Sequence, residues 1–349
     1  MKILLIKPSS LGDVVHALPV ANLLRMHFPD ATLSWLINDT LVGLLKNCPV
    51  IHAIIPFYRQ RWKSLSMLPE FILYLRKLRA QEFDMAIDLQ GLLRSGFVTQ
   101  GTAAPRRIGL SDAREGSRWF YNDTVTIPRD VIHAVDRYLQ VIRHLGLPAE
   151  PVQFPFGESD EDKAAVDEFL KANGAAKAPL IGICPGARWD NKRWPAESFA
   201  ELARELAHTW KPHRVVLIGG AAESEYLRGI AGASESSPVI MDGKLTLSQL
   251  VELLRRCTLF FGNDTGPTHI AAALAVPTVE LFGPTDPALT GPHPSQSAHT
   301  IVLRKPLPCS PCLKPKCKND VYLECLKTIS VREVLDAANN LMDRSVVKN

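Results

Sequence analysis

The pattern that most limits the fold is an alternation of short apolar segments with amphipathic ones, which runs through the chain twice. In the first half, runs rich in branched and aromatic residues predict strands, and apolar residues at helical spacing predict helices. The strands are predicted at 2–7, 31–37, 53–57 and 84–90, and the helices at 14–28, 66–81 and 133–146. Such alternation specifies a parallel sheet covered by helices. The predicted fold class is therefore α/β.

A second series of strands and helices follows a boundary in mid-chain. Residues 147–178 combine strong proline and glycine signals with one acidic helix, as a domain boundary does. Further strands are predicted at 180–186, 214–220, 238–243, 259–264 and 277–283, and helices from 196, at 223–232 and at 246–256. Because 349 residues exceed one ordinary core, we expect two domains, 1–155 and 156–329. A last helix at 330–343 has no strand of its own, so the segment 330–349 is a candidate to pack back on the first half.

Composition narrows the class of protein. A hydrophobic content of 46% and a charged content of 22% are typical of a globular chain, and no apolar run reaches the ~18 residues of a spanning helix. The first residues run into a strand without a signal-peptide cleavage region, so we expect a cytoplasmic protein. Residues 51–120 hold 11 lysines and arginines against 6 acidic residues. This surplus fits a solvated face or an anionic partner; no motif for nucleic acid is present.

Four of the seven cysteines form a cluster near the end of the chain. Cys309, Cys312, Cys317 and Cys325 have the spacing C-x2-C-x4-C-x7-C in a stretch rich in proline and lysine. Such a set either holds zinc or clips a loop. Its gap lengths match no standard zinc module, so we assign no metal to the chain and leave the role of these thiols open.

The segment NDTGPTHIAAAL, residues 263–274, is the strongest local signal for a ligand site. A strand ends there, Asp264 or Thr265 can cap the helix that follows, and Gly266 lets a ligand approach the backbone. The free N–H groups and the positive end of the helix dipole make a site for a diphosphate. His269, one turn further on, can contact the same phosphates. The alternative is a well-capped helix that binds nothing.

Two further strand ends in the second half carry polar groups. The loop PGARWDNKRWP, residues 185–195, places Arg188 and Lys192 at the carboxyl end of a strand, where open α/β sheets bind ligands. Lys192 is suited to hold a leaving diphosphate as a point charge, and a solvated loop is the alternative. Glu223 follows the next strand and can accept hydrogen bonds from a ribose or an adenine. We therefore predict that the second half binds a nucleotide.

The first strand of the chain is followed by KPSSLGDVVHALP, residues 7–19, where Asp13 stands at the start of a helix. If the second half binds the nucleotide, this turn is available for an acceptor. The helix dipole and free N–H groups favour the ionised carboxylate, which can then take a proton from an attacking hydroxyl. We predict that Asp13 is a general base; an aspartate that only caps its own helix is the alternative.

These motifs, together with LFGPTDP at 281–287, resemble in order and spacing the bacterial glycosyltransferase family nine, the ADP-heptose:lipopolysaccharide heptosyltransferases. The resemblance spans residues 2–340 and implies the GT-B fold, with two Rossmann-like domains that face each other across a cleft. It implies an inverting transfer without metal or cofactor, in which Asp13 and Lys192 are the catalytic residues. The implied donor-binding residues are Gly12, Arg188, Lys192, Glu223, Asp264, Thr265, Gly266 and His269.

Within this family, FYRQRWKS at 57–64 and DAREGS at 112–117 look like heptosyltransferase I, which adds the first heptose to Kdo of the inner core. The resemblance implies transfer of L-glycero-D-manno-heptose from ADP-heptose to a lipopolysaccharide acceptor of the Kdo–lipid A type. It places the enzyme on the inner face of the inner membrane as a peripheral protein. The implied acceptor-binding residues are Ser10, Arg59, Arg61, Lys63 and Arg114. The cysteine cluster departs from the best-known members of this subgroup.

Other functions stay open at this stage. A heptosyltransferase of type II or III adds a later core heptose, and a GT-B-fold epimerase of sugar nucleotides needs no acceptor. A catalytically inactive protein of this fold that binds a nucleotide sugar is the alternative outside enzymes. A nicotinamide oxidoreductase is disfavoured, because its first turn carries three glycines and this one has only Gly12.

Overall fold

The computed structural model describes residues 1–346, apart from the side chains of Lys63, Leu65, Ser345 and Val346. The chain forms two compact units: unit 1 is Met1–Gly157, and unit 2 begins at Glu158. Each unit contains a six-stranded sheet, and every pair of neighbouring strands is parallel. None of the helices described here combines the length and the apolar content of a membrane span.

Unit 1 alternates strands and helices from its first residues. Its strands are β1 (Lys2–Ile6), β2 (Thr32–Asn38), β3 (Ala53–Phe57), β4 (Met85–Asp88), β5 (Arg106–Leu110) and β6 (Asp123–Val125). Its helices are α1 (Leu11–His27), α2 (Val42–Leu45), α3 (Leu68–Arg79), α4 (Leu93–Gly101) and α5 (Ala134–His144). Strands β1, β2 and β4 are buried along nearly all of their length, as parallel strands are when helices cover both faces of the sheet.

Unit 2 repeats this architecture. Its strands are β7 (Leu180–Cys184), β8 (Arg214–Gly219), β9 (Val239–Asp242), β10 (Cys257–Asn263), β11 (Thr278–Phe282) and β12 (Thr300–Arg304). Its helices are α6 (Asp160–Ala172), α7 (Ala196–Thr209), α8 (Ser224–Ser234), α9 (Leu247–Arg255), α10 (Gly266–Ala273), α11 (Pro287–Thr290), α12 (Glu324–Lys327) and α13 (Val331–Val346). Trp194, Phe199 and Phe261 are fully buried in its core.

The two sheets have the same strand order. It is β3-β2-β1-β4-β5-β6 in unit 1 and β12-β11-β10-β7-β8-β9 in unit 2. Both orders read 3-2-1-4-5-6 when the strands of each unit are numbered from its start, which is the Rossmann order. The order reverses between β1 and β4 and between β7 and β10. Ligands of open α/β sheets bind beyond the carboxyl ends of the strands at such a point.

Every strand predicted from the sequence is present, with ends shifted by at most two residues. Strands β5, β6 and β12, helix α4 and the four-residue helices α2, α11 and α12 were not predicted. β5 begins with two arginines, β6 has three residues, and β12 is only partly buried over most of its length. Helix α4 contains two glycines and has weak apolar periodicity.

The last helix, α13, packs on unit 2. Its residues Val331, Val334, Ala338 and Leu341 are buried in the same core as the residues of α7 and β11. The suggestion from the sequence that this segment packs back on the first half is therefore wrong. The apolar face of α13 fits the sheet of its own unit, and that face could not be assigned to a sheet from periodicity alone.

Candidate active site

Asp13 lies in the first turn of α1. The backbone N–H of Ser10 donates to Oδ2 of Asp13 over 2.8 Å, and the Ser10 hydroxyl donates to the same oxygen over 2.7 Å. An acidic group at this position satisfies the helix start as in a capping box. In the described part of the chain, Oδ1 accepts no hydrogen bond. One oxygen thus fixes the helix start, and the other is left for a ligand.

Lys7 keeps the Asp13 carboxyl ionised. Burial raises the pKa of this carboxyl, but the charge of Lys7, the hydrogen bonds from Ser10 and the charge of His16 together hold it below its usual range. Lys7 is itself buried, and its Nζ donates to the carbonyl oxygen of Leu89 over 3.2 Å. No role for Lys7 was predicted from the sequence. A role could have been suspected because this lysine directly follows an apolar strand, and a buried lysine is rarely without a partner.

A cavity of about 560 Å³ lies at the carboxyl ends of β1 to β4. Its wall includes Ser9 and Gln90, and the side-chain oxygen of Gln90 accepts from the backbone N–H of Ser9 over 3.3 Å. Ser9 follows β1 and Gln90 follows β4, and the strand order of unit 1 reverses between these two strands. Much of the wall is apolar, and its charged members are Arg59, Arg94 and Glu115. The cavity therefore lies where the topology of unit 1 predicts a ligand site.

The predicted acceptor residues have different surroundings in the structure. Arg59 lines the cavity, whereas Arg61 forms an ion pair with Glu70 at 3.0 Å. Arg114 is exposed and is not part of the described cavity wall. The side chain of Lys63 lies outside the described residues.

Arg94 lines the same cavity and was missed by the sequence analysis. It follows β4 at the start of α4, a helix that the sequence did not predict. Ser10, also predicted, stands beside the cavity residue Ser9 and donates to Asp13.

Asp264 is the centre of a buried polar cluster in unit 2. Lys192 Nζ donates to its Oδ2 over 2.5 Å, the Thr285 hydroxyl donates to the same oxygen over 2.6 Å, and His269 Nε2 lies 3.2 Å from its Oδ1. Burial raises the pKa of Asp264, but His269 and Lys192 together hold it far below its usual range. Both oxygens of Asp264 are therefore engaged by side chains of unit 2.

Glu280 lies in β11 and faces His269. Its Oε1 is 3.6 Å from His269 Nδ1, and neither of its oxygens has a hydrogen-bond partner among the described residues. Burial raises the pKa of Glu280 to about 8 and so favours its protonated form. The sequence analysis missed Glu280. A glutamate inside the apolar strand TVELF was the signal for it.

The same three side chains, Asp264, His269 and Glu280, offer ligand atoms within 4.8 Å of one another, a spacing that would admit a metal ion. Lys192 already places an ammonium group 2.5 Å from Asp264. The lysine thus supplies the positive charge that a metal would otherwise bring to this carboxylate.

Helix α10 begins next to this cluster, at the carboxyl end of β10. Thr265 is its N-cap residue by backbone conformation, but its side chain makes no capping hydrogen bond. Thr265 and Gly266 are both partly exposed. The first N–H groups of a helix have no partners within it, and the dipole favours an anion there. A helix start and a lysine ammonium therefore meet at the strand end where unit 2 is expected to bind a ligand.

The loop that carries Lys192 is held at both of its ends. Asn263 donates to the carbonyl oxygen of Pro185 over 2.8 Å and accepts from the backbone N–H of Trp194 over 3.0 Å. Lys192 Nζ also lies 5.1 Å from the ring centre of Trp189. These contacts restrict the side chain of Lys192, which is long and would otherwise be flexible.

Glu223 follows β8 and approaches the same loop. Its Oε2 accepts from the backbone N–H of Gly220 over 2.9 Å. A Cβ at Gly186 would lie 2.0 Å from Oε1 of Glu223, so only a glycine permits this approach. Arg188 is exposed in the loop. The predicted donor residue Gly12 is buried in the first turn of α1, in unit 1.

Comparison with known proteins identifies the protein family of this chain. The family model described as glycosyltransferase family 9 (heptosyltransferase) matches residues 73–323. The chain belongs to this family of glycosyltransferases. The resemblance predicted from the motifs is thereby confirmed.

Relatives of this family 9 enzyme include heptosyltransferases of two types. Lipopolysaccharide heptosyltransferase 1 of Pseudomonas aeruginosa is 32% identical over 91% of this chain and 87% of its own length. The structure of Escherichia coli ADP-heptose lps heptosyltransferase II has a TM-score of 0.80 and 27% identity, with 99% of each chain covered. That of E. coli heptosyltransferase WaaC with ADP has a TM-score of 0.76 and 26% identity, covering 98% of this chain and 100% of its own. The predicted GT-B fold is confirmed by these structures.

Proposed function

We propose that this enzyme transfers L-glycero-D-manno-heptose from ADP-heptose to a Kdo sugar of the lipopolysaccharide inner core, with inversion at the anomeric carbon. The observation that carries the proposal is Lys192 fixed on Asp264 at the start of α10, a cationic site suited to the diphosphate of a nucleotide sugar. The similarity to a lipopolysaccharide heptosyltransferase 1 and to a heptosyltransferase with ADP supports this donor and this acceptor.

The donor binds to unit 2. Its diphosphate accepts hydrogen bonds at the start of α10, from Thr265 and from the backbone N–H of Gly266, and pairs with Lys192. Arg188 adds a second cation from the same loop, and Glu223 accepts from a hydroxyl of the nucleoside. As the bond between heptose C1 and the phosphate oxygen breaks, negative charge grows on the departing ADP. Lys192 and the helix dipole stabilise that charge.

Asp13 acts on the acceptor. Its Oδ1 takes the proton of the Kdo hydroxyl while the hydroxyl oxygen forms a bond to heptose C1, and the electron pair of the breaking C1–O bond leaves with ADP. Attack from the side opposite the leaving group inverts the configuration at C1. Lys7 keeps Asp13 ionised against the effect of burial, so the base is ready at neutral pH.

The cavity of unit 1 receives the acceptor. A volume of about 560 Å³ is within the range of small-ligand sites, and Arg59 and Arg94 suit the carboxylates and phosphates of an inner-core sugar. The acceptor is attached to a lipid, so the enzyme works as a peripheral protein on the inner face of the inner membrane. Exposed arginines of unit 1, such as Arg114, can attract that anionic surface.

The transfer needs neither a metal ion nor a cofactor for its chemistry. Many sugar-nucleotide enzymes neutralise the leaving diphosphate with a divalent cation, and here Lys192, Arg188 and the start of α10 take that role. Asp264, the carboxylate nearest to this site, is already paired with Lys192 and Thr285.

A second candidate function is the addition of a later core heptose. The structure of an E. coli heptosyltransferase II, with a TM-score of 0.80, is at least as similar to this chain as that of WaaC, with 0.76. The two functions share donor and mechanism and differ only in the acceptor.

Purified enzyme should therefore be incubated with ADP-heptose and either Kdo-lipid A or the same acceptor carrying one heptose. We expect ADP release and the addition of one heptose to Kdo-lipid A, with the inverted anomer seen by NMR. Transfer only to the heptosylated acceptor would establish the second candidate. Binding of ADP-heptose without turnover on either acceptor would contradict an enzymatic role.

A further inference from the structure

The segment 305–323, between β12 and α12, has no helix or strand in the described structure. Its only pairing of strand type is an isolated bridge between Leu307 and Ser310. Leu313, Val321 and Tyr322 are exposed, so the segment has little apolar core of its own. Loops of this length inside a compact domain are uncommon and need another source of order.

The four cysteines of the C-terminal cluster meet in this segment. Cys309, Cys312, Cys317 and Cys325 line one cavity of about 290 Å³, and all four are free thiols. Cys325 belongs to the short helix α12 and is buried in the core of unit 2. One cysteine of the cluster is therefore anchored in the core, and the other three lie on a loop that can change conformation when a ligand binds.

We propose that Cys309, Cys312, Cys317 and Cys325 bind one zinc ion as a structural tetrathiolate site. Four thiols around one small cavity are the ligand set of a tetrahedral thiophilic metal. Zinc holds such sites closed and takes no part in redox chemistry. This revises the expectation from the sequence, where the gap lengths alone assigned no metal.

The charge around the cavity supports this assignment. Lys314, Lys316 and Lys318 all line it. Their ammonium groups offset the net negative charge of four thiolates around a divalent ion. These lysines would not stabilise a pair of disulfides, because a disulfide carries no charge.

The thiols must move inward to bind the ion. Among the described residues, no three of these sulfur atoms lie within 4.8 Å of one another. Cys309 is exposed, and Cys312 and Cys317 are only partly buried, so their side chains can rotate towards Cys325. The four thiols thus do not form a preformed metal site. Metal binding orders the loop, and the free energy of binding adds to the free energy of folding.

The site is connected to the cationic cluster of unit 2. Asn191, the neighbour of Lys192, donates to the carbonyl oxygen of Lys314 over 2.8 Å. The Ser310 hydroxyl donates to the carbonyl oxygen of Gly283 over 2.7 Å, two residues before the Thr285 that binds Asp264. An ordered segment 305–323 therefore supports both loops that hold Lys192 and Asp264.

The test is metal analysis of the full-length enzyme, produced with zinc and iron in the medium, purified anaerobically and freed of any affinity tag. We expect about one equivalent of zinc, the stoichiometry of one tetrathiolate site. Cys312→Ser should lose most of this zinc and lower the melting temperature, whereas Cys48→Ala, at a buried thiol of unit 1, should keep it. No zinc, an equal content in Cys312→Ser, or iron in place of zinc would each overturn the proposal.

A second measurement keeps the test independent of the stability of the variants. Titration of the metal-free wild-type enzyme with Co²⁺ should produce thiolate-to-cobalt charge-transfer absorption and the visible bands of tetrahedral cobalt. The absence of these bands, or disulfides between the four cysteines found by mass spectrometry under anaerobic conditions, would contradict a tetrathiolate site.

Discussion

The Nζ of Lys192 lies 2.5 Å from Oδ2 of Asp264, in a pair that joins two loops 72 residues apart in the chain. Both side chains are largely buried. A lysine ammonium has three N–H groups, and the pairing with Asp264 uses one of them. The arrangement thus fixes the position of a cation and leaves donors for a ligand, which is what the departing diphosphate requires.

Lys192→Ala should weaken the binding of ADP and slow transfer. Loss of a charge-assisted hydrogen bond costs about 1.5–3 kcal/mol, which corresponds to roughly 10–100-fold in Kd. Calorimetry with ADP measures the effect directly. Lys163→Ala is the matched control, because Lys163 lies in α6 of the same unit and is paired with Glu158 at 3.3 Å. Equal ADP affinity in the two variants would exclude Lys192 from the donor site.

Arg59→Ala combined with Arg94→Ala should raise the KM for the acceptor several-fold and leave the KM for ADP-heptose nearly unchanged. Both arginines line the cavity of unit 1, whereas the donor residues belong to unit 2. Arg61→Ala is the control, because this arginine pairs with Glu70. Steady-state kinetics with a soluble, delipidated acceptor separates sugar recognition from membrane docking. A normal KM for that acceptor, with failure only on lipid-embedded substrate, would assign the arginines to the membrane.

Glu280→Gln should remove a pH dependence of stability. Burial raises the pKa of Glu280 to about 8 in the folded state, above the ~4.3 of an unfolded glutamate. Its contribution is therefore fully present below pH ~4.3 and is lost as pH rises through about 8. Glutamine resembles the protonated form at every pH.

Urea unfolding at pH 5.5, 7 and 8.5 checks this relation. The free energy of unfolding of Glu280→Gln, relative to the wild type, should rise over this range. The exposed control Glu201→Gln should show a constant difference. A constant difference for Glu280→Gln as well would mean that Glu280 is ionised throughout.

Lys7→Met should shift the pH profile of turnover. The Lys7 charge favours ionised Asp13 against the effect of burial, so its removal raises the pKa of the base. In the wild type, turnover should fall only at pH values below the usual range of an aspartate; in Lys7→Met, the acidic decrease should move to higher pH. An unchanged profile of kcat would show that Lys7 does not act through Asp13. ADP affinity, measured in parallel, should stay unchanged.

Much of the fold was predictable because central parallel strands are buried on both faces and so appear as apolar runs. The predicted runs 2–7 and 31–37 match the interior strands β1 and β2 to within one residue at each end. Strand β6 has only three residues, too few to form such a run. Strand β12 contains the apolar residues Ile301–Leu303 but is only partly buried over them. The position of α13 also escaped prediction, because an amphipathic pattern does not say which sheet its apolar face meets.

The site was predictable where its chemistry is local in the chain. Lys192 and His269 stand in motifs that follow strands, and the structure brings both onto Asp264. Glu280 was missed because its neighbour His269 lies in another element. Lys7 shares a motif with Asp13, but the burial that brings its charge to bear on that carboxylate is not visible in the sequence. One oxygen of Asp13 serves the helix cap, and the other stays available for the predicted role of a base.

The most direct test of the account is single-turnover transfer by Asp13→Asn on Kdo-lipid A with saturating ADP-heptose. Asparagine keeps the shape of the side chain and can still accept the hydrogen bonds from Ser10, but it cannot take a proton from the acceptor. We predict a rate lower by roughly 10²-fold or more, the usual effect of a positioned general base. ADP affinity and the melting temperature should stay close to those of the wild type. A near-normal rate would contradict the account and leave Asp13 as a helix cap alone.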